Sequence, residues 1–214
     1  EYLKRHVKPA KDKVRNSLER TRWWVHARTA PDLRAAVQAL SRYIATARLA
    51  KHRLFVFLDA DIIPDGQLVV IARDDDYFFG VLHSRAHEVW ALRQGTQLES
   101  RPRYTPTSCF ETFPFPRPPE TQTREIAEAA AELNGHREAW LNPDMSTGAL
   151  SEKDLKARTL TNLYNQRPTW LANAHRSLDA AVFAAYRWPE PPDKLSDAEI
   201  LARLLKLNLE REPA

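Results

Sequence analysis

The stretch Asp74–Pro116 constrains the fold most, because three different kinds of segment follow one another within it. An acidic triplet is followed by an apolar run, Tyr77–Arg93, with enough hydrophobic residues to give a helix one buried face. Gly95 is expected to end that helix. A polar segment with proline breaks, Gln97–Ser108, is predicted to be a loop, and alternating Phe and Pro residues then indicate an extended anchor on a core. This stretch is expected to form the working surface of the molecule.

The acidic triplet is Asp74, Asp75 and Asp76. Three carboxylates could bind a divalent cation, but acidic residues also suit the positive end of a helix, where one of them can cap a free N–H. No further ligand stands at a defined spacing, so the sequence favours the cap. His83 and His87 lie four residues apart, yet a serine stands where the zinc motif H-E-x-x-H has glutamate.

The residues ahead of this stretch predict a helix and then strands. Pro31 suits the first position of a helix, and apolar residues recur behind it at helical spacing. Runs rich in β-branched and aromatic residues predict strands over 43–46, 54–58 and 67–72. Pro64-Asp65-Gly66 predicts a turn between the last two strands, which are therefore expected to form a hairpin or a bent pair.

Helical patterns dominate after a proline-rich connector, residues 114–119. Periodic apolar positions predict helices over 121–141, 168–186 and 197–211. Ser196 and Glu199 have the spacing of a capping box. The expected fold class is α+β: a mixed domain with a small β-sheet and packed helices over 1–118, followed by a helical domain over 119–214.

The net charge of +4 conceals an asymmetry. Residues 1–53 hold 14 Lys and Arg against 4 Asp and Glu, a net of +10, whereas residues 54–214 carry a net of −6. A concentrated basic segment suits a polyanion such as DNA or RNA, and a solvated surface of a basic protein has the same composition. Both interpretations stay open on charge alone.

Composition also narrows the cellular setting. No apolar run is long enough to span a membrane, and the N-terminus has no apolar signal-peptide core. The one cysteine, Cys109, excludes an internal disulfide and suits a reducing cytoplasm. The chain opens on Glu1 rather than Met, which fits either a piece of a longer protein or a processed terminus.

Motifs of catalysis are missing from the sequence. The five glycines form no G-x-G, so no dinucleotide-binding or phosphate-binding loop is present. Asn142-Pro143-Asp144 lacks the second proline and the aromatic residue of the N-P-P-aromatic amino-methylating motif, and no G-x-S-x-G elbow occurs. The chain is therefore expected to be no enzyme on its own and to hold neither cofactor nor metal.

Three blocks of the sequence resemble the C-terminal region of large class I SAM-dependent DNA methyltransferases, the Type IIL/IIG restriction–modification (MmeI-like) family. The blocks are FFGVLHSRAHEVWAL, LESRPRYTPTSCFETFPFP and LTNLYNQRPTWLANAHRSLDAAVFAAYRWP. The resemblance implies a target recognition domain over 1–118 and a helical C-terminal domain over 119–214. It implies double-stranded DNA and an upstream methyltransferase domain of the same parent chain as partners. S-adenosylmethionine would be the cofactor of the intact enzyme, which would work in the bacterial cytoplasm in phage defence.

The resemblance also implies roles for individual residues. In the family, a Glu-x-Arg or Lys-x-Asp pair ahead of an R-Y-[ST] segment reads one base pair, and that pair matches Glu99 and Arg101. Glu can accept from cytosine N4 and Arg can donate twice to guanine, while the residues alone fit an ordinary surface ion pair equally well. The residues expected to contact bases are Glu99, Arg101, Arg103, Thr105 and Thr107. Those expected to contact phosphates are Lys51, Arg53, Ser84, Arg85 and His87, with structural hydrogen bonds as the alternative for the last three.

The leading hypothesis is sequence-specific recognition of double-stranded DNA for an N6-adenine DNA methyltransferase. The alternative is a helical protein-interaction or docking module without direct DNA readout. A third hypothesis is an enzyme with a metal at the acidic triplet and the two histidines.

Overall fold

The computed structural model describes residues 1–25, 30–98, 101–143 and 151–211. The chain forms two compact units, Glu1–Ala39 and Leu40–Ala214. Helices and a small antiparallel sheet build the second unit, which confirms the α+β class. The boundary at 118/119 concerns a division of function and stays a prediction. Within the described ranges, no helix has both the length and the apolar surface that a membrane span requires.

The first unit contains short helices: α1 (Tyr2–His6), α2 (Lys8–Lys11), α3 (Ser17–Thr21) and α4 (Pro31–Val37). Pro31 is the first residue of α4, as the sequence predicts. Asn16 caps α3, because its side chain accepts a hydrogen bond from the Leu18 N–H at 3.0 Å. No residue of α1–α4 is buried, so local hydrogen bonds rather than a core hold these helices.

The sheet of the second unit has the order β2-β1-β3, formed by β1 (Arg42–Ala47), β2 (Val56–Asp59) and β3 (Leu68–Ile71). Both pairings are antiparallel, with Ile44 opposite Phe57 on one side and opposite Ile71 on the other. The predicted strands are confirmed, but the predicted hairpin of the last two is wrong because β1 separates them. Residues 43–46 are all buried, and a strand with no solvent needs neighbours on both edges to pair its backbone groups.

The apolar run of the central stretch forms two helices, α5 (Asp76–His83) and α6 (Arg85–Gln94). The prediction of one helix is wrong because Ser84 leaves the helical conformation, with ψ 153°. The Ser84 hydroxyl donates to the Val81 carbonyl at 2.7 Å and accepts from the His87 N–H, which caps α6. A serine side chain that bonds to nearby backbone in this way competes with the helix.

The acidic triplet contributes the cap that the sequence favours. The Asp75 carboxylate accepts a hydrogen bond from the Phe78 N–H at 2.8 Å, which confirms the capping of α5. Arginines neutralise two of the three acids: Arg73 pairs with Asp75 and Arg42 pairs with Asp76, each at 3.0 Å.

The remaining helices are α7 (Glu120–Leu141), α8 (Glu152–Ala157), α9 (Leu160–Gln166), α10 (Thr169–Ala185) and α11 (Asp197–Arg211). The predictions of α7, α10 and α11 are confirmed, and so is the capping box ahead of α11. In that box the Ser196 N–H donates to Glu199 at 2.9 Å, and the Glu199 N–H donates back to the Ser196 hydroxyl at 3.3 Å. Helices α8 and α9 are not predicted from the sequence, because they are short and lack an apolar stripe.

The Phe-Pro segment that precedes α7 is pinned to the core, as predicted. Phe113 is buried. Three side chains hold the carbonyls of this segment: Tyr77 donates to Pro116 and Tyr186 to Pro114, both at 2.9 Å, and Arg211 donates to Phe115 at 2.6 Å.

Helix α5 lies in the centre of the core, against α7 and α10. Gly80 is the point of closest approach, since a Cβ there would stand 2.9 Å from the Ala130 Cβ and 3.1 Å from the Leu178 Cδ1. The three helices can pack this closely because residue 80 has no side chain.

The start of α6 is joined to α10 by the half-buried carboxyl group of Asp179. The Arg85 N–H belongs to the first turn of α6 and has no acceptor within the helix. It donates instead to the Asp179 carboxylate at 2.7 Å. Burial raises the pKa of Asp179 to about 7, although the hydrogen bond from Arg85 opposes that rise. The carboxyl is therefore half protonated near neutral pH in the folded protein.

Gly80→Ala is expected to lower the free energy of unfolding by about 1–3 kcal/mol, because the added methyl overpacks the contact of α5 with α7 and α10. Gly135→Ala is the matched control, since nothing lies within 4 Å of the position that its methyl would take on α7. The control is expected to raise the free energy of unfolding by about 0.5–1 kcal/mol. Urea denaturation measures both. Equal stabilisation by the two substitutions would contradict the close approach at Gly80.

Asp179→Asn is expected to stabilise the protein at pH 8 by on the order of 2–4 kcal/mol and to have little effect near pH 4. The unfolded carboxyl ionises near 3.9, so the folded state binds more protons between about pH 4 and 7 and loses stability as pH rises through that window. An amide oxygen can still accept from the Arg85 N–H. Urea denaturation at several pH values measures the difference, and a pH-independent effect would contradict the raised pKa of Asp179.

Candidate nucleic-acid interface

A β-hairpin occupies the polar segment that the sequence predicts to be a loop. Strands β4 (Thr96–Leu98) and β5 (Arg101–Arg103) pair antiparallel, with Thr96 opposite Arg103. The loop prediction is wrong because the segment pairs its backbone groups with each other rather than with water. Glu99, one of the predicted base-reading residues, lies outside the described residues.

Arg101 and Arg103 are both exposed on β5. Successive side chains of a strand point to opposite faces, so the two arginines share one face of the hairpin and Pro102 belongs to the other. Two residues of strand correspond to a rise of roughly 6.6 Å. The hairpin therefore presents two exposed arginines that are spaced along one face.

Arg53 connects the hairpin to the three-stranded sheet. It is 7% exposed, and its guanidinium donates to the Pro102 carbonyl and to the Thr46 hydroxyl, each at 3.0 Å. It also lies over the Tyr104 ring, 5.0 Å from the ring centre. Because Thr46 belongs to β1 and Pro102 to β5, one buried cation joins the sheet to the hairpin.

A second link runs through the backbone. Leu49 forms a bridge with Arg103, and the Tyr104 N–H donates to the Arg48 carbonyl at 2.8 Å. Gly95 makes the hairpin's approach to α6 possible, since a Cβ there would stand 2.5 Å from the Arg103 carbonyl oxygen and 2.8 Å from that of Ala91.

His87 lies beneath the hairpin and holds Tyr104. Its Nδ1–H donates to the Leu82 carbonyl at 3.0 Å, which leaves Nε2 to accept from the Tyr104 hydroxyl at 3.1 Å. Burial lowers the pKa of His87 to about 3, so the imidazole is neutral at physiological pH. It acts as a structural acceptor.

Phosphate contact is not supported for three of the five predicted residues. Ser84 and His87 are fully buried and Arg53 nearly so, and a side chain without solvent contact cannot reach a phosphate. Their polar atoms form the structural hydrogen bonds described above. These residues are polar because they support the surface, which is a role that sequence alone does not separate from binding.

The other two residues differ from each other. Arg85 is half-buried, and its guanidinium pairs with Asp197 at 2.6 Å, which ties α6 to α11. Lys51 is exposed, and its ammonium group donates to Asn165 of α9 at 2.7 Å. Lys51 is therefore the predicted phosphate-binding residue that the structure leaves best placed.

Thr105 and Thr107, predicted to contact bases, follow the hairpin. Thr105 is half-buried, and its carbonyl accepts from the Cys109 N–H at 2.8 Å as a π-helical turn, Pro106–Phe110, begins. Thr107 is exposed on that turn. Cys109 itself is buried and belongs to the core.

The two histidines considered for a metal are both engaged in the core. His83 Nε2 accepts from the Phe55 N–H at 3.1 Å and from the Arg137 guanidinium at 2.8 Å. In the part of the chain that the structure describes, no cluster of three or more His, Cys, Asp or Glu could hold a metal ion. The break at Ser84 also removes the shared helical face that placed His83 beside His87.

Arg137 is the structural residue that sequence reasoning missed most clearly. It stands four residues after Leu133 on α7, on the same stripe as Ile126 and Ala130, and it is buried with them. A charged residue on an apolar stripe was the signal that could have identified it.

The model of the family described as the MmeI target recognition domain matches residues 12–117. The chain carries a target recognition domain of the MmeI family. The hairpin and its supports, Arg53, His87 and Tyr104, all lie within the matched residues of this target recognition domain.

Two longer proteins resemble more of this chain than its target recognition domain alone. DNA methyltransferase A of Bacillus subtilis (strain 168) is 33% identical over 150 residues, which is 69% of this chain and 15% of that protein. A structure of the Type IIL restriction–modification enzyme MmeI in complex with DNA matches with a TM-score of 0.63 at 24% identity, over 81% of this chain and 22% of that one. The family resemblance is confirmed, the structural match shows a common fold, and the chain spans less than a quarter of either relative.

Gly95→Ala is expected to displace β5, because the methyl would meet backbone atoms that cannot move independently of the strand. The expected loss in free energy of unfolding is about 1–3 kcal/mol, with faster hydrogen exchange of the β4 and β5 amides. Gly66→Ala is the control: nothing lies within 4 Å of its Cβ position, and the change should stay within about 0.5 kcal/mol. Unaltered exchange in Gly95→Ala would contradict this role of Gly95.

Proposed function

We propose that this chain recognises a specific sequence in double-stranded DNA on behalf of an N6-adenine DNA methyltransferase. The observation that carries the proposal is the exposed pair Arg101 and Arg103 on one face of a hairpin, within a domain of a target recognition family. The major groove admits a two-stranded β-ribbon, and arginine there donates twice to guanine O6 and N7.

The spacing of the two arginines suits this role. Two residues of strand rise roughly 6.6 Å, and two base steps rise roughly 6.8 Å. Arg101 and Arg103 could therefore reach base pairs that lie two steps apart. Rigid support from Arg53 and Tyr104 would hold both side chains in register with the groove.

Glu99 and Arg101 would read one base pair together. Glu99 would accept a hydrogen bond from cytosine N4 and Arg101 would donate to guanine on the opposite strand, so exchanging acceptor and donor would reverse the preferred pair. Thr105 and Thr107 would add hydroxyl or methyl contacts to base edges beyond the hairpin.

Non-specific affinity would come from basic residues. Lys51 would contact the DNA backbone, and the net charge of +10 over residues 1–53 would attract the polyanion. Phosphate contacts fix register and orientation but carry no sequence information.

Methyl transfer would be the task of another part of the enzyme. The residues of this chain do not fit S-adenosylmethionine, because its five glycines form no G-x-G loop. An upstream methyltransferase domain of the same parent chain would bind that cofactor and receive the target adenine flipped out of the duplex. The reaction would take place in the cytoplasm, with or without a fused nuclease.

Protein docking is the second candidate function. Leu205 and Leu209 are both exposed and lie one turn apart on α11. Such a pair can pack into an apolar groove of a protein partner. Binding to a protein partner that is insensitive to salt, without binding to DNA at low salt, would favour docking over DNA recognition.

The combination Glu99→Lys with Arg101→Asp is expected to change the recognised sequence at one base pair while methylation continues. Sequencing of the methylated sites in DNA treated with the intact enzyme measures the change. The control, Glu152→Lys with Lys156→Asp, inverts an exposed ion pair of α8 and should leave the sequence unaltered. An unchanged recognition sequence for the Glu99/Arg101 variant would refute the assignment of these two residues.

A further inference from the structure

The last turn of α9 contacts the loop that carries Lys51. The side-chain oxygen of Asn165 accepts hydrogen bonds from Lys51 Nζ at 2.7 Å and from His52 Nε2 at 2.9 Å. Tyr164, the preceding residue, is anchored by a hydrogen bond between its hydroxyl and His175 Nε2 at 2.8 Å. The helical part of the chain therefore meets the loop that would bind phosphate.

Arg167 lies two residues beyond Asn165, at the C-terminal end of α9, and is exposed. Its backbone is left-handed, with φ 43° and ψ 62°, and its N–H donates to the Leu163 carbonyl at 2.8 Å. Glycine or asparagine usually occupies this position, because a Cβ is disfavoured there. Strained residues of this kind concentrate at functional sites.

Arg167 and His52 both influence the carboxyl group of Glu88. Packing of neighbouring residues around Glu88 of α6 raises its pKa although the residue keeps solvent contact, and Arg167 and His52 both oppose that rise. The loop after β1, the helix α6 and the end of α9 therefore meet near Glu88. Lys51 and Arg167 are both exposed, and the hydrogen bond from Lys51 to Asn165 places them on neighbouring elements of the fold.

We propose that Arg167 contacts a phosphate of the DNA backbone together with Lys51, so that the helical part of the chain shares in holding the duplex. This inference rests on the proposed function and adds a contact outside the matched residues 12–117. A guanidinium binds a phosphate with two parallel hydrogen bonds, which adds geometric control to the attraction of charge.

Arg167→Gly tests the proposal because it removes the charge and relieves the backbone at the same time. We expect the thermal midpoint to rise while the affinity for duplex DNA falls equally for every sequence. The slope of log K against log salt concentration should become shallower by about 0.9. Arg167→Lys keeps the charge and should keep the slope.

Arg176→Ala is the matched control. Arg176 is also exposed and also lies on the helical part of the chain, where its Nη1 donates to Asn173 at 2.9 Å. Its removal should leave the salt slope unaltered, and all variants are compared in the intact protein.

The possible failures are distinguishable. If Arg167→Gly retains the full salt slope, Arg167 makes no contact with phosphate, and this inference is overturned while DNA recognition stands. If the unaltered protein shows no salt-dependent binding to duplex DNA, the proposed function fails and this inference fails with it.

Discussion

The contact of Arg137 with His83 is the interaction on which the rest of the second unit depends. Arg137 is 1% exposed, and it donates to His83 Nε2 at 2.8 Å and to the Phe55 carbonyl at 2.9 Å. Burial and the adjacent Arg137 charge lower the pKa of His83, so the imidazole stays neutral and can accept. Leaving a buried donor of this kind without its acceptor would cost about 1–3 kcal/mol. One buried cation therefore holds α7, α5 and the segment leading into β2 in a single arrangement.

Phe55 connects the helices to the proposed reading surface through contacts of its aromatic ring. Its ring centre lies 5.4 Å from that of His83, 5.5 Å from that of His87 and 5.7 Å from that of Tyr104. Tyr104 in turn lies beside Arg53, which holds the hairpin. The polar residues beneath the surface thus form a continuous support, and precise base reading needs such a rigid scaffold.

The sequence predicted those parts of the fold that repeat a local pattern. The spacing of apolar residues identified α7, α10 and α11, and the cap at Asp75 and the box at Ser196 follow from side chains that bond to nearby backbone. The sequence did not predict the hairpin of β4 and β5, because its strands are polar and short. The sequence also did not predict the break at Ser84, because the apolar pattern continues through this residue and only a capping hydroxyl interrupts the helix.

The family resemblance indicated which segment would form the site, and the structure showed which of the predicted residues are buried and which are exposed. By sequence alone this chain is determined to be an α+β protein with a basic N-terminal end and motifs of a target recognition domain, because charge and motif are properties of neighbouring residues. Tertiary structure decided which polar residues face solvent. Arg53 and His87 share their residue types with binding residues, but they are buried by packing between elements far apart in the chain. Arg167 enters the proposed surface for the same reason, since α9 meets the loop of Lys51 only in the folded protein.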